Sequence, residues 1–373
     1  MKRPSSASSP DAPHLFYVVD WLPPDFGPTG QYALVFAREL ANAGRRVHVI
    51  GLTTRAPGTE SEKCAHGGEL TITRIASATY DKTRYIRRLT WLVDANLRLM
   101  RAVVRDPHSR RGEILFTGSP PFMLFFAVFV KWLRRARLIY RITDFYPEVI
   151  IAELGRRPLP LAILQHFTWA MRRRVDMFEV LGEDQRRLLI SGGIPPERIT
   201  LKRDTSPIPI TGQEIPLARP PALSGRRVLL YSGNYGIAHD TDTVVEGLIR
   251  HHRAGSGRFG LWLNASGVNV AQVEERLRAA GVPVARTDPI ALERLPSLLA
   301  AADMHLITLR SHFAGIVLPS KVYGCIASNR AVLFVGPESS DVHLLCTQAA
   351  SIRYERVEPG DVAAFAAALE RLV

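Results

Sequence analysis

Short apolar runs alternate with segments of helical periodicity along the chain, and this alternation limits the possible folds more than any other feature. The first two runs are residues 15–19 and 47–52. Between them, apolar residues recur at the spacing of one helix face, namely Ala33, Phe36, Ala37, Leu40 and Ala41. We expect that helix to end near Gly44. The pattern predicts an α/β fold with parallel sheets flanked by helices.

The alternation restarts in the second half of the chain, which predicts two doubly wound domains. Further strand candidates are residues 114–117, 138–142, 177–181, 228–231, 260–263, 304–308 and 332–335. In the second half, helices are predicted to begin near Thr241, Val270, Leu292, Pro319 and Ser340. The chain of 373 residues is also longer than one core usually organises.

A Pro-rich, helix-poor stretch suggests where the two domains divide. We predict a disordered leader at residues 1–13, an N-terminal domain at 14–206, a linker at 207–221 and a C-terminal domain at 222–373. Ligands of doubly wound sheets bind beyond the carboxyl ends of the strands. We therefore expect the two domains to face each other across a cleft that holds the site.

Cysteine usage and the N-terminus indicate the compartment. The three cysteines, Cys64, Cys325 and Cys346, are odd in number and widely spaced, so they predict neither a disulfide framework nor a Cys-x-x-Cys metal site. The Ser/Pro-rich N-terminus has no apolar stretch of the kind that a secretory signal needs. We expect a cytoplasmic protein.

The positive charge is concentrated in one region. Residues 82–174 contain nineteen Lys/Arg and six Asp/Glu, an excess equal to the +13 of the whole chain. Within it, an apolar run at 121–130 is followed by Lys131, Trp132, Arg134, Arg135 and Arg137. Ten residues cannot cross a bilayer, which needs about twenty.

The composition predicts a peripheral helix at 121–137 on the anionic inner face of the cell membrane. The alternative is a buried helix with a solvated basic end. No nucleic-acid-binding module accompanies the charge.

Glycine-rich loops follow the first strand of each half. After the first strand come Gly27, Thr29 and Gly30, just before a helix. Such glycines let a backbone approach an anionic ligand, although they also make tight turns. The repetition after the first strand of the second half, at residues 231–240, favours the ligand interpretation for both loops.

The second loop ends in two polar residues at the expected start of a helix. Asp240 is a candidate N-cap. His239 is a candidate to donate a hydrogen bond to a phosphate or a sugar hydroxyl. A lone histidine is also common in a purely structural role.

The most informative segment is residues 310–332, which contain Pro319, Ser320 and Lys321. Proline suits the first turn of a helix, and helix amides, a hydroxyl and an ammonium together form a site for an oxyanion such as a diphosphate. The alternative for Lys321 is a solvated surface lysine.

The order of these features resembles the bacterial GT-B glycosyltransferases grouped as family four, in particular a surface-polysaccharide branch with a Pro-Ser-Lys-x-Tyr-Gly signature. The resemblance extends from about His14 to the C-terminus. The matching segments are Pro23-Pro24 with Gly27 to Gly30, Asp144-Phe-Tyr-Pro147-Glu148, Ser232-Gly-Asn-x-Gly236-x-x-His239-Asp240, Leu298-x-x-Ala-Ala-Asp303 and Pro319-Ser-Lys-x-Tyr-Gly324.

This resemblance implies that the C-terminal domain binds a nucleotide sugar and that the N-terminal domain presents the acceptor. It implies donor contacts by Gly27, Thr29, Gly30, Gly233, Asn234, Gly236, Arg286, Pro289, Pro319 and Ser320. Lys321, Asp144 and His239 are the catalytic candidates, and Glu148 lies on the acceptor side. For Asp144 the alternative is an N-cap of the following helix.

The sequence departs from the family where many members have two glutamates near the sugar and the ribose. Ile316 and Gly324 occupy those positions, so the sugar and ribose hydroxyls lack these ligands. Relatives usually continue beyond the position of Val373 into a helix that packs on the N-terminal domain, and this sequence does not include that helix.

Sugar transfer requires stabilisation of the charge on the departing phosphate, which helix amides and Lys321 could supply. No His/Cys cluster has metal-ligand spacing and no Asp-x-Asp pair follows a strand, so we expect no metal or other cofactor. The resemblance implies retention of the anomeric configuration, and Lys321→Ala is predicted to lower turnover at least about tenfold. The alternatives are a nucleotide-sugar epimerase of the same fold and a catalytically silent partner that binds a nucleotide sugar.

Overall fold

The computed structural model describes residues 13–25, 28–78, 85–206 and 208–372. The chain forms two compact units. The first unit ends at Lys202. The second unit consists of the chain from Arg203 onward and two earlier segments, Ala152–Gly155 and Gly182–Leu188.

The first unit contains eight strands in one sheet. The strands are β1 Leu15–Trp21, β2 Arg46–Thr53, β3 Gly58–Lys63, β4 Glu69–Ala76, β5 Glu113–Thr117, β6 Arg137–Ile142, β7 Met177–Val180 and β8 Ile199–Leu201. The helices of this half of the chain are α1 Pro28–Asn42, α2 Tyr85–Arg105, α3 Met123–Arg134, α4 Glu148–Leu154, α5 Leu159–Arg172 and α6 Glu183–Ser191.

The strand order of this sheet is β3-β4-β2-β1-β5-β6-β7-β8, and the paired strands are parallel except for β3 and β4. The centre of the sheet is apolar: the first five residues of β1 are buried, and each such aliphatic or aromatic side chain contributes about 1.5–3 kcal/mol on burial. Helix α1 packs on the sheet through Ala33, Ala37 and Ala41, as the spacing predicts.

The second unit contains six parallel strands in the order β11-β10-β9-β12-β13-β14. The strands are β9 Arg227–Asn234, β10 Phe259–Ser266, β11 Val284–Thr287, β12 Met304–Thr308, β13 Ala331–Val335 and β14 Tyr354–Val357. The helices are α7 Asp242–Ala254, α8 Val270–Ala279, α9 Leu295–Ala301, α10 Lys321–Ala327, α11 Asp341–Gln348 and α12 Val362–Arg371.

The parallel strands are arranged in the same way in both units. The chain first adds strands on one side of the first strand and then crosses over to add strands on its other side. In the first unit this switch point lies between β1 and β5, and in the second it lies between β9 and β12. Such a switch point opens a crevice at the carboxyl ends of the strands, where ligands of doubly wound sheets bind.

Every apolar run that predicts a strand is a strand in the structure. The apolar pattern missed β3, β4, β8, β11 and β14, which are short or polar strands away from the sheet centres. Two helix starts differ from the predictions: α9 begins at Leu295 after a 3-10 turn, and α10 begins at Lys321 rather than at Pro319. Residues 208–220 contain no helix or strand.

Candidate functional site

The glycine loop after β9 lies at the switch point of the second unit. Gly233 has a φ of +119°, a conformation that side chains other than glycine rarely adopt. The Tyr235 amide donates to the Ser266 carbonyl at 2.6 Å. The Asn269 side-chain amide donates to the Gly236 carbonyl at 2.8 Å. These bonds fix the loop, including Asn234, against the end of β10.

His239 connects the other end of this loop to β12. Its Nδ1 lies 2.6 Å from the carbonyl oxygen of Thr308, which can only accept, so Nδ1 carries the proton. Burial, together with the charge of Lys321, lowers the pKa of His239 to about 3, so the ring is neutral. Its Nε2 is therefore an acceptor. An acceptor at Nε2 favours contact with a sugar hydroxyl over donation to a phosphate, and both contacts stay predictions.

Asp240 has the capping role that the sequence predicts. Its Oδ1 accepts a hydrogen bond of 3.0 Å from the amide of Thr243 in the first turn of α7. Its carboxylate therefore stabilises the helix start beside the loop.

Lys321 contributes a buried cation to the same place. Its Nζ lies 3.3 Å from the centroid of the Tyr231 ring, and a Cβ on Gly233 would be 3.9 Å from it. The ammonium is buried and has no hydrogen-bond partner among the described residues. Burial lowers the pKa of Lys321 to about 7. The alternative of a solvated surface lysine is therefore wrong.

Aromatic rings hold Lys321 and His239 in position. Tyr231 and Tyr235 are stacked with centroids 4.1 Å apart, and the imidazole of His239 meets both rings edge-on. The ammonium of Lys321 rests on the Tyr231 face, where the ring quadrupole attracts a cation. A rigid aromatic support leaves the direction of the ammonium well defined.

The turn before Lys321 differs from the predicted helix start. Pro319 is buried and Ser320 is exposed. The amides of Val322 and Tyr323 donate to the carbonyls of Pro319 and Ser320. These two amides are used within the turn, and the contribution of the other amides of this helix start to an oxyanion site stays a prediction.

Two further predicted donor residues, Arg286 and Pro289, lie at the end of β11 and in the loop after it. Arg286 is exposed, and its Nη1 is 3.6 Å from Glu274 on α8. Pro289 is exposed in the loop that follows β11. Asn264 anchors this loop by donating to the carbonyl of Asp288 at 2.6 Å. The donor contact of both residues stays a prediction.

The predicted donor residues of the first unit are described only in part. Gly27 lies outside the described residues, and for Thr29 only the backbone is described. Gly30 has a packing role, because a Cβ there would overlap the carbonyl oxygen of Trp21. A glycine is therefore required for α1 to approach the end of β1.

The switch point of the first unit contains a carboxyl group paired with a hydroxyl group, which the sequence interpretation missed. The Ser119 hydroxyl, just after β5, donates to Asp20 Oδ2 at 2.5 Å, near the end of β1. The other oxygen, Oδ1, is buried with no partner among the described residues. Burial raises the pKa of Asp20. A polar residue directly after the apolar run of β1 was the signal that could have identified it.

Asp144 and Glu148 follow β6 but have different environments. Burial raises the pKa of Asp144 to about 6, and its alternative role as an N-cap stays a prediction. The carboxylate of Glu148 binds Arg172 through two bonds of 2.7 and 2.9 Å. Arg172 lies between the rings of Phe145 and Trp169. Glu148 thus forms a buried ion pair with Arg172, and its place on the acceptor side stays a prediction.

The described residues contain neither a metal-binding cluster nor a membrane-spanning helix. No group of three His, Cys, Asp or Glu side chains is arranged to hold a metal ion in the part of the chain that the structure describes. Among the described helices, none combines the length and the apolar character needed to cross a bilayer.

Comparison with curated proteins finds a similar bacterial protein. The chain is 22% identical over 255 residues to a protein of Pseudomonas aeruginosa described as probable glycosyltransferase WbjE, and the match covers 63% of the chain and 60% of WbjE. The chain thus spans less than two thirds of the length of this relative. No protein-family model matches the chain.

Several solved structures resemble the whole chain. Sucrose-phosphate synthase from Thermosynechococcus elongatus is 13% identical with a TM-score of 0.66, and the match covers 96% of this chain and 89% of that one. HepE of Anabaena, solved with UDP and glucose, is 10% identical with a TM-score of 0.62 over 96% and 89%. WaaG, a glycosyltransferase involved in lipopolysaccharide biosynthesis, is 14% identical with a TM-score of 0.59 over 96% and 90%. Together with the two parallel sheets, these similarities confirm the predicted fold: the chain has the GT-B fold.

Proposed function

We propose that the protein is a glycosyltransferase that moves a sugar from a nucleotide-sugar donor to a lipid-linked or saccharide acceptor in bacterial surface-polysaccharide biosynthesis. The observation that carries this proposal is the ammonium of Lys321, buried beside the glycine loop of the second unit with no partner among the described residues. A buried cation without a counter-ion favours an anionic ligand, because pairing removes much of its desolvation cost. A donor diphosphate supplies that anion.

The similar proteins support the same function. WbjE is described as a probable glycosyltransferase, HepE was solved with UDP and glucose, and WaaG is named for lipopolysaccharide biosynthesis. The ordered signature around Pro319, Ser320 and Lys321 resembles family four and its surface-polysaccharide branch. From that resemblance we propose retention of the anomeric configuration and departure of the diphosphate without a metal.

In this mechanism, Lys321 stabilises the negative charge that develops on the departing diphosphate. A bound diphosphate raises the pKa of the ammonium, which keeps it protonated at neutral pH. The Nε2 atom of neutral His239 accepts a hydrogen bond from a sugar hydroxyl. We propose that Asp144, with its raised pKa, acts on the acceptor.

We further propose that the protein works on the cytoplasmic side of the cell membrane, with peripheral contact through residues 121–137. The apolar side chains of that segment, followed by Lys131, Trp132 and three arginines, support this location.

The proposal is tested by incubating the protein with UDP-, GDP- and dTDP-sugars and a bacterial membrane lipid extract. Transfer of labelled sugar to lipid or saccharide, lost in Lys321→Met, supports it. Release of a free epimer would identify an epimerase instead. Nucleotide-sugar binding without turnover would identify a silent binding partner, and either result overturns the proposal.

A further inference from the structure

Three helices of the first unit lie side by side on one face of its sheet. Helices α2, α3 and α5 connect strands that follow one another in the same direction across the sheet, from β4 to β5, from β5 to β6 and from β6 to β7. Right-handed crossovers of this kind place their helices on the same face. Helix α3 contacts both α2 and α5.

Each of these helices exposes large apolar side chains to solvent. The exposed residues recur at helical spacing, with Leu89, Val93 and Leu97 on α2, Phe129, Trp132 and Leu133 on α3, and Leu159, Ile163 and Phe167 on α5. We call these nine side chains the apolar face. Phe129 is 64% exposed and Phe167 is 56% exposed. Nine exposed apolar side chains on three neighbouring helices indicate a docking site.

The sequence offered two alternatives for residues 121–137, a lipid-facing helix and a buried helix. Helix α3 has features of both. Met123, Leu124, Ala127 and Val128 are buried, whereas Phe129, Trp132 and Leu133 face outward. A helix that is apolar on all sides can therefore serve the core and a second apolar medium at once.

Cations border the apolar face at one end. The stripe of α2 continues at i+4 from Leu97 to Arg101, and α3 is followed directly by Arg135. Arg174 follows α5 and its guanidinium lies 5.9 Å from the ring centroid of Trp132 on α3. This contact joins the faces of the two helices. Arg101, Arg135 and Arg174 are exposed and form no ion pair with other described residues.

Acidic charge is nearly absent from the same surface. Within the described residues of the three helices, Asp94 is the one acidic residue, and it is paired with Arg98 at 2.8 Å. The cation of Lys131 is likewise neutralised by Asp176 at 2.7 Å. The free charge beside the apolar face is therefore carried by arginine, which suits an anionic surface with an apolar interior.

We propose that the apolar face of α2, α3 and α5, with Arg101, Arg135 and Arg174 at its border, is a docking surface for an anionic lipid bilayer. The inference rests on the proposed function, which places residues 121–137 at the membrane. It extends this membrane contact to two further helices. Six of the nine apolar side chains come from α2 and α5, outside that segment. The surface lies along the helices, whereas the candidate site lies at the carboxyl ends of strands.

Co-sedimentation of the full chain with lipid vesicles tests this surface. We expect binding to phosphatidylcholine vesicles that contain about 30% phosphatidylglycerol and weak binding to pure phosphatidylcholine. Leu97→Glu, Phe129→Glu and Phe167→Glu, one on each helix, are each expected to lower the partition coefficient about tenfold. The matched control is Val35→Glu, which replaces an exposed apolar residue on α1, a helix outside the apolar face, and is expected to bind like the wild type.

Several outcomes would overturn the proposal. If Phe129→Glu alone reduced binding, the contact would be limited to α3. If all three variants bound vesicles normally, or if ultracentrifugation showed that the face pairs two copies of the chain, it would not be a lipid surface. Donor hydrolysis in the absence of lipid is measured in parallel. Lost vesicle binding with normal hydrolysis supports the surface, whereas normal vesicle binding without any turnover contradicts only the proposed function.

Discussion

The switch points of the two units have the same strand order but opposite chemistry. In the second unit, the neutral imidazole of His239 and the partnerless ammonium of Lys321 surround the loop after β9. In the first unit, a carboxyl group with a raised pKa, that of Asp20, receives a hydroxyl bond from Ser119. A cation without a counter-ion selects an anion, whereas a carboxyl–hydroxyl pair suits neutral hydroxyl groups. The shared topology provides the crevice, and a few side chains decide what it can bind.

Removal of the Lys321 cation is the strongest test of this difference. Lys321→Met keeps the long apolar stem on Tyr231 and is expected to lower kcat about 100-fold, because a charge-stabilising donor at a leaving group contributes about two orders of magnitude or more. The same change is expected to raise the melting temperature, because it removes a buried ammonium without a partner. Transfer kinetics and thermal unfolding measure the two effects.

The control for this variant is Lys63→Met, which replaces an exposed lysine on β3. It should change neither property. Unchanged turnover in Lys321→Met would remove the cation from the site and with it the contrast between the two switch points.

The pH dependence of nucleotide binding gives the next largest effect. The pKa of Lys321 is about 7 in the free protein, and a bound diphosphate raises it. Lys321 therefore takes up a proton when the nucleotide binds above about pH 7, and the affinity for UDP is expected to fall by up to about tenfold per pH unit between about pH 7 and about pH 9. Calorimetry with UDP measures this slope, and a slope that persists in Lys321→Met would assign it to another group.

The sequence predicts the central strands of both sheets but not the contacts of the site. The central strands were predictable because they are apolar runs of sufficient length, whereas β3 is fully exposed and has no apolar pattern to detect. The site depends on contacts between distant parts of the chain. Lys321 lies on Tyr231, and the protonation of His239 is set by a carbonyl 69 residues away.

Residue type alone also leaves the environment of some side chains open. Glu148 is recognisable as a carboxylate in the sequence, but its ion pair with Arg172 depends on the packing of α5. Asp20 is an ordinary aspartate until the fold buries it beside Ser119. Periodicity predicts the sheets, but the state of each charged side chain depends on burial, which the local pattern does not specify.

His239→Asn tests the acceptor role of the imidazole. The asparagine amide can still donate to the Thr308 carbonyl, but the Nε2 acceptor is lost. We expect kcat to fall about three- to tenfold, as for one neutral hydrogen bond of about 0.5–1.5 kcal/mol, with little change in UDP affinity. A marked loss of UDP affinity would show instead that the ring contacts the phosphates.

The smallest expected effect concerns the acidic switch point. Because the pKa of Asp20 is raised by folding, the native state binds more protons than the unfolded state just above the usual aspartate range. The stability from this group is present at low pH and is lost as the pH rises through the folded pKa. Asp20→Asn, which cannot titrate, should therefore lose about 1 kcal/mol relative to the wild type near pH 4 and less near pH 7. Urea unfolding of both chains at the two pH values measures the difference, with Asp94→Asn on the exposed surface of α2 as control. A difference that does not change with pH would mean that folding leaves the pKa of Asp20 unchanged, and burial would then have no effect on the carboxyl group at this switch point.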